Sequence, residues 1–225
     1  MEQIRSLKKS SVESKIASFD KLITADPTDI SAYYNKAKAL LDLDRKKEAI
    51  AAFDKIISNA YIHKGILLED LGQNEDALSA FDKAIELDPN DSSAYNTKGE
   101  LLMELGKFKE AVKAYDEVIR LIPNEPLGYG NKGFALYHLG ELEEAIKYYD
   151  KEAEIEYDWL VEAKKGKALY DLDNLTEGME HIQKAMYKFK RGKLDGNCFT
   201  DEDGNESVYN TLEVALLRDI EKLLS

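Results

Sequence analysis

An aromatic residue followed by aspartate recurs along the chain at Phe19-Asp20, Phe53-Asp54, Phe81-Asp82, Tyr115-Asp116 and Tyr149-Asp150, at intervals of 34, 28, 34 and 34 residues. A second series, Tyr33, Tyr61, Tyr95 and Tyr129, is followed three residues later by Lys36, Lys64, Lys98 and Lys132. Pro27, Pro89 and Pro123 each fall eight residues after an aromatic of the first series, where proline can stop a helix. Within one period, Tyr95, Gly99 and Leu102, then Ala111, Tyr115 and Val118, follow spacings of three and four, which sets them on one face of each of two helices. Gly72, Gly106 and Gly140 lie between the halves and can adopt the left-handed backbone that ends a helix. Two short helices cannot cover their apolar faces alone. Neighbouring units must therefore stack and share a core.

The blocks Tyr61-x2-Lys64-Gly65-x2-Leu68 with Ala77-x3-Phe81 and Pro89, and Tyr95-x2-Lys98-Gly99-x2-Leu102 with Ala111-x3-Tyr115 and Pro123, resemble the tetratricopeptide repeat. Tyr129 to Tyr149 matches without the terminal proline, Tyr33 to Phe53 has Ala37 at the small position, and a degenerate copy runs from Trp159 through Lys165-Gly166-x2-Leu169 to Ile182 and Ala185. The resemblance covers roughly residues 12 to 189 and implies an all-α, right-handed solenoid of helix-turn-helix repeats. One departure is systematic: the leucine expected beside the small residue is lysine, read here as an aliphatic stem on the core with its ammonium in water. The expected organisation is an N-terminal half repeat (1–29), repeats at 30–57, 58–91, 92–125 and 126–158, a degenerate fifth at 159–190, an acidic loop at 191–206 and a capping helix at 207–225.

The 28-residue interval is six residues short, and the loss falls between Ile57 and Tyr61, where other units supply a turn such as Glu86-Leu87-Asp88-Pro89-Asn90-Asp91. Three outcomes stay open. The flanking helices fuse into a rod of roughly 25 residues, at 1.5 Å per residue; Ser58-Asn59 makes an unusually tight turn; or the sequence lacks residues that the natural chain carries.

After the fifth unit the composition shifts. Asp195, Asp201, Glu202, Asp203 and Glu206 punctuate a stretch with Gly196 and Gly204 and no Lys or Arg, which reads as an acidic loop. Taking Gly204 as the invariant glycine of a calcium loop would put Phe199 and Asn210 at ligand positions, so that spacing fails. Ser207 to Leu224 reads as an amphipathic helix, with Val208, Leu212, Ala215, Ile220 and Leu223 near one face, suited to capping a stack.

Thirty-one Lys and Arg against 44 Asp and Glu give a net charge of −13, which opposes nucleic-acid binding. No run approaches the eighteen or so apolar residues of a membrane span, and no apolar stretch follows Lys8 and Lys9, so neither a membrane partner nor a secretory signal is expected and the cytoplasm is the default location. One cysteine, Cys198, excludes an intramolecular disulfide framework, and acidic neighbours oppose its ionisation to a nucleophile. His63, His138 and His181 belong to different units, none with a second His or Cys three or four residues away on the same helix, so neither a metal nor another cofactor is expected. No phosphate-binding loop or nucleophile elbow occurs, and catalytic residues are not expected.

The residue after each stripe aromatic begins a second stripe, which by the resemblance lines the concave groove. It contains Tyr34 and Lys38, Ile62 and Ile66, Asn96, Glu100 and Met103, Phe134 and Tyr137 with the adjacent His138, and Lys167 with Tyr170. Aromatic and Met residues on a water-facing stripe are types enriched at binding surfaces. Phe134 and Tyr137, with Gly130 one turn earlier, are expected to form a shallow apolar pocket. Relatives that grip a chaperone's C-terminal carboxylate carry a Lys and Asn four residues apart, then a further Asn and two cations. That clamp is absent here, since Tyr34 precedes Lys38 and Asn96 precedes Glu100. Glu69, Asp70, Glu100 and Glu104 around the stripe favour an amphipathic or basic peptide. The sequence thus points to a non-enzymatic adaptor that binds a peptide or helix of a partner protein, monomeric or weakly self-associating. A self-associating scaffold is the first alternative, and an RNA-binding repeat or an enzyme is less favoured.

Overall fold

The computed structural model describes residues 2–189, the stretches 193–195, 198–200 and 206–208, and residues 218, 220 and 222. Ten helices follow one another among the described residues: α1 Glu2–Ala25, α2 Ile30–Asp42, α3 Lys46–Asp70, α4 Asn74–Leu87, α5 Ser92–Glu104, α6 Phe108–Leu121, α7 Pro126–His138, α8 Leu142–Ile155, α9 Trp159–Asp171 and α10 Leu175–Phe189. The chain divides into two compact units, residues 1–97 and 98–225.

Each helix-turn-helix pair closes in the same way. Gly72, Gly106 and Gly140 have φ of 72°, 69° and 79°, the left-handed region that glycine enters without a Cβ penalty. The amides that follow fold back on the helix just ended: Gly72 N donates to Glu69 O at 2.8 Å and Gln73 N to Leu68 O at 2.8 Å. The same position in the first and fifth pairs is Asp44 (φ 57°) and Asp173 (φ 63°), and the same bonds recur there. Asp29 caps α2 by accepting from Ala32 N at 2.9 Å.

Inside a pair, the small residue of the first helix receives the aromatic of the second. A Cβ on Gly99 would come within 2.6 Å of the Tyr115 ring, and one on Gly133 within 2.8 Å of the Tyr149 ring. Phe81 stands against Gly65 in the same way. Phe81, Tyr115 and Tyr149 are consequently almost wholly buried. Ala37 occupies the small position of the first pair, and Phe53 there is only half-buried. In the fifth pair the helices approach through two glycines: a Cβ on Gly166 would meet Gly178 O at 3.0 Å and Ile182 N at 2.8 Å.

Between α9 and α10 lies a buried polar knot. Glu162 is 7% exposed, takes a 2.7 Å bond from Lys184 Nζ and contacts His181 Nδ1. Burial opposes its ionisation, but hydrogen bonds from Lys184, His181 and Tyr157 prevail and hold the carboxyl down at about 2. A carboxyl depressed on folding stabilises the native state above its unfolded value near 4.5, and that contribution disappears as pH falls toward 2. Urea titrations at stepped pH should therefore show Glu162→Gln losing less stability than the parent over this window, by about 2–3 kcal/mol. Parallel pH profiles for the two proteins would show that Glu162 is not held ionised.

The missing turn is resolved as a fusion. Lys46–Asp70 is one uninterrupted helix of 25 residues, about 37 Å long, and no break occurs at 57/58, where the sequence expectation placed a repeat boundary. Ser58, fully buried, donates to Ala84 O at 3.1 Å, and Lys55 pairs with Asp88 at 2.9 Å and Asp91 at 2.6 Å, so α4 and the turn after it hold the middle of the rod. Ser58 and Asn59 are compatible with a helix interior, and nothing else in Ser58-Asn59-Ala60 breaks one. Short connections make α2 antiparallel to the first half of α3, so the first helices of repeats 1 and 2 run in opposite senses. A regular array has them parallel.

The expected acidic loop at 191–206 is corrected. Lys193–Asp195, Cys198–Thr200 and Glu206–Val208 are strands β1, β2 and β3 of an antiparallel sheet in the order β1-β2-β3. Lys193 faces Thr200, Leu194 faces Phe199 and Asp195 faces Cys198. Ser207 and Val208 belong to β3, so the terminal helix does not begin at Ser207. Arg218, Ile220 and Lys222 are helical and Ile220 is fully buried; the rest of the proposed capping segment lies outside the described residues. No helix among the described residues is long and apolar enough to cross a membrane.

Candidate binding surface

The second stripe of the first helices does not form one uniform wall. In residues 1–97, Tyr34 is half exposed on α2, its ring edge-on to Phe53 at 6.2 Å and beneath Lys38 Nζ at 5.5 Å. Ile66 is exposed, but Ile62 is 7% exposed and belongs to the packing of α3. Because α2 and α3 run oppositely, Tyr34 and Lys38 do not continue into Ile62 and Ile66 as a single stripe. Asn96, on α5, is half-buried.

In residues 98–225, Glu100 is exposed while Met103 is 5% exposed. The other stripe residues converge where α7 meets α9. Phe134 is 4% exposed and stacks parallel to Tyr137 at 6.4 Å, with His138 edge-on to it at 4.7 Å. Phe108, at the start of α6, lies flat on the His138 ring at 5.0 Å. Tyr137 OH donates to Asp171 Oδ2 at 2.6 Å and accepts from Lys167 Nζ at 3.1 Å, while Lys167 pairs with Asp171 and lies 5.7 Å from the Tyr137 ring centre. Tyr170, three residues after Lys167 on α9, is half-buried.

The electrostatics follow from that packing. Partial burial lowers the His138 pKa and so favours the neutral ring, while the residue as a whole stays exposed. Burial raises the Tyr137 hydroxyl, and the bond to Asp171 adds to this, keeping it a proton donor. Burial also opposes the Lys167 charge, but the bonds to Asp171 and Tyr137 prevail and raise its pKa. The surface is an aromatic floor bounded by a fixed cation and a fixed carboxylate.

The expected apolar pocket is corrected in two respects. Phe134 is a floor residue, covered by Tyr137 and His138, and not an open wall. The room beside Gly130 is filled: a Cβ there would collide with the Glu152 carboxylate of α8. A residue larger than glycine at 130 would have to push the Glu152 carboxylate aside. Sequence reasoning also missed Phe108 and Asp171. Asp171 was reachable, since it stands four residues after Lys167 on one helix; Phe108 carries no such signal. No group of His, Cys, Asp or Glu among the described residues could hold a metal ion.

Comparison with known proteins gives the same fold. No curated protein matches the chain. Among solved structures, MamA from Desulfovibrio magneticus RS-1 (residues 41 to the end) aligns with a TM-score of 0.55 at 23% identity, over 70% of this chain and 93% of that one. YrrB, described as a TPR protein with an unusual peptide-binding site, aligns with a TM-score of 0.54 at 22% identity, over 75% of this chain and 91% of that one. Models of the tetratricopeptide repeat match residues 63–126 and 97–157, and a second such model matches 30–60. With the repeat matched over more than half its length and built from helix-turn-helix pairs, the chain is an all-α solenoid protein that belongs to the tetratricopeptide repeat family.

Proposed function

We propose that the chain is a non-enzymatic adaptor that binds a short segment of a partner protein on the α7–α9 surface. The observation that carries this reading is the half-buried Tyr137, held by Lys167 and Asp171 and edge-on to the exposed His138, with the half-buried Tyr170 on the same α9 helix as Lys167. Such a surface offers flat aromatic contact at low entropic cost, with ionic groups at its border to orient a ligand. YrrB, of similar fold, has a peptide-binding site. The net charge of −13 and the exposed Glu100 favour a basic amphipathic segment over an acidic tail.

The test is a display screen of random peptides against the full chain, followed by anisotropy titrations of the selected sequences. Replacing Tyr137 and Tyr170 together by alanine should weaken the selected peptides by tenfold or more, about 1.4 kcal/mol, with helical content retained. Tyr34→Ala, on a stripe of opposite sense, should leave them unchanged. Selected peptides that bind the double variant as tightly as the parent would move the site elsewhere.

A further inference from the structure

Successive repeats are joined by a recurring ion pair. The Asp of each aromatic-Asp motif reaches the Lys that precedes the small residue of the next repeat: Asp20 to Lys36 at 2.6 Å, Asp116 to Lys132 at 2.5 Å and Asp150 to Lys165 at 2.5 Å. At the short junction the equivalent residues are Asp54 and Lys64. Both lie on α3, ten residues and about 15 Å apart along its axis, so they cannot meet within one chain. Lys64 lies over the Tyr61 ring at 5.9 Å, and neither residue makes an ion pair among the described residues.

The apolar contacts of the same junction are likewise split. Gly128 in α7 sits so close to the preceding repeat that a Cβ there would come within 3.0 Å of Ile119 and 3.1 Å of Val118. The counterparts of Gly128 and Ile119 are Ala60 and Ile57, and both are exposed. Leu67 is 63% exposed, although its counterparts Leu101, Ala135 and Ala168 are buried to 1% or less. Ile50 is exposed where Leu78, Val112 and Ile146 are half-buried. The first half of α3 presents the face that a following repeat covers. The second half presents the face that rests on a preceding one. On the rod, Ile50, Ile57, Lys64 and Leu71 recur every seven residues, with Ala60 and Leu67 between them, which is the seam pattern of paired helices.

We propose that these faces are covered by a second copy of this chain, in a two-fold dimer that completes the junction between chains. Two α3 helices laid antiparallel about an axis near Ser58-Asn59 bring Ile57 onto Ala60, Ile50 onto Leu67 and Asp54 onto Lys64 of the second copy. The register is that of the regular repeats: Ile119 on Gly128 and Asp116 on Lys132 have sequence sums of about 247, as Ile57 with Ala60 and Asp54 with Lys64 have sums of about 117. Each chain's first repeat then docks on the other's second repeat. The interface is self-complementary in shape and charge, as a two-fold contact must be.

Sedimentation equilibrium of the full chain should give twice the 25.5 kDa of one copy. Asp54→Lys alone and Lys64→Asp alone should each weaken the dimer at least about tenfold, because like charges then face each other. The double variant Asp54→Lys with Lys64→Asp should recover it, since the pair is re-formed with its signs exchanged. Inserting the turn sequence Glu-Leu-Asp-Pro-Asn-Asp after Ile57 should yield a monomer, because the two faces can then meet within one chain. Ile57→Glu with Leu67→Glu, both on exposed positions, should dissociate the dimer without loss of helical content. A parent chain that stays monomeric at its highest soluble concentration overturns the proposal. So does a dimer indifferent to the charge reversals and the insertion.

Discussion

Truncating Tyr149 to alanine should cost about 3–5 kcal/mol of stability, read as a lowered urea midpoint with an unchanged slope. The side chain is 1% exposed and packs its ring edge against the backbone of Gly133, with Leu136, Ala145 and Val161 in the same cluster. A glycine backbone cannot move into the vacated volume without unwinding α7, so the cavity stays largely open and its cost adds to the lost transfer energy. Phe53→Ala, at the equivalent position of the first repeat, should cost distinctly less, because Phe53 is already half in water and Ala37 in place of glycine keeps the helices from closing on it. Equal losses at the two positions would mean that the glycine contact does not set the depth of burial.

Phe134→Ala should lower the melting temperature together with any binding, with a loss of about 3–5 kcal/mol. The ring is 4% exposed and lies under Tyr137 and His138, and through His138 it supports the stack on Phe108. Removing it leaves His138 and Tyr137 without a floor. Tyr137→Ala alone should be milder, since that side chain is only half-buried, and thermal unfolding of the two single variants separates the roles. A Phe134→Ala protein that melts like the parent would return Phe134 to the open groove wall that the sequence pattern suggests.

The repeat architecture was legible because its signals are redundant. Glycine at 65, 99 and 133, the aromatics at 81, 115 and 149 and the left-handed glycines at 72, 106 and 140 all report one period. The binding surface was less legible for a reason rooted in helix geometry. Neighbouring residues on a helix differ by about 100° in direction, so Ile62, Met103 and Phe134 sit at the edge between groove and core. A small rotation of the helix decides which side claims them, and that rotation is set by residues on other helices, such as Glu152 beside Gly130. The strands Lys193–Asp195, Cys198–Thr200 and Glu206–Val208 escaped detection because runs of three residues are too short to show alternation. Fusion at Ile57–Tyr61 was one of three readings of the missing turn. Only the packing of Ser58 and Lys55 against α4 and the turn that follows it favours the rod over the tight turn.

The continuity of α3 also changes how the protein comes apart. In a tandem array an end repeat can peel away at the turn that joins it, and the opening stops there because the next hydrogen-bond ladder is separate. Here an opening that starts at α1 and α2 enters α3 and meets no boundary before Leu71, where the ladder ends. Stopping inside the helix leaves a new N-terminal turn with unsatisfied N–H groups, so the first two repeats are expected to exchange their amide hydrogens as one cooperative block.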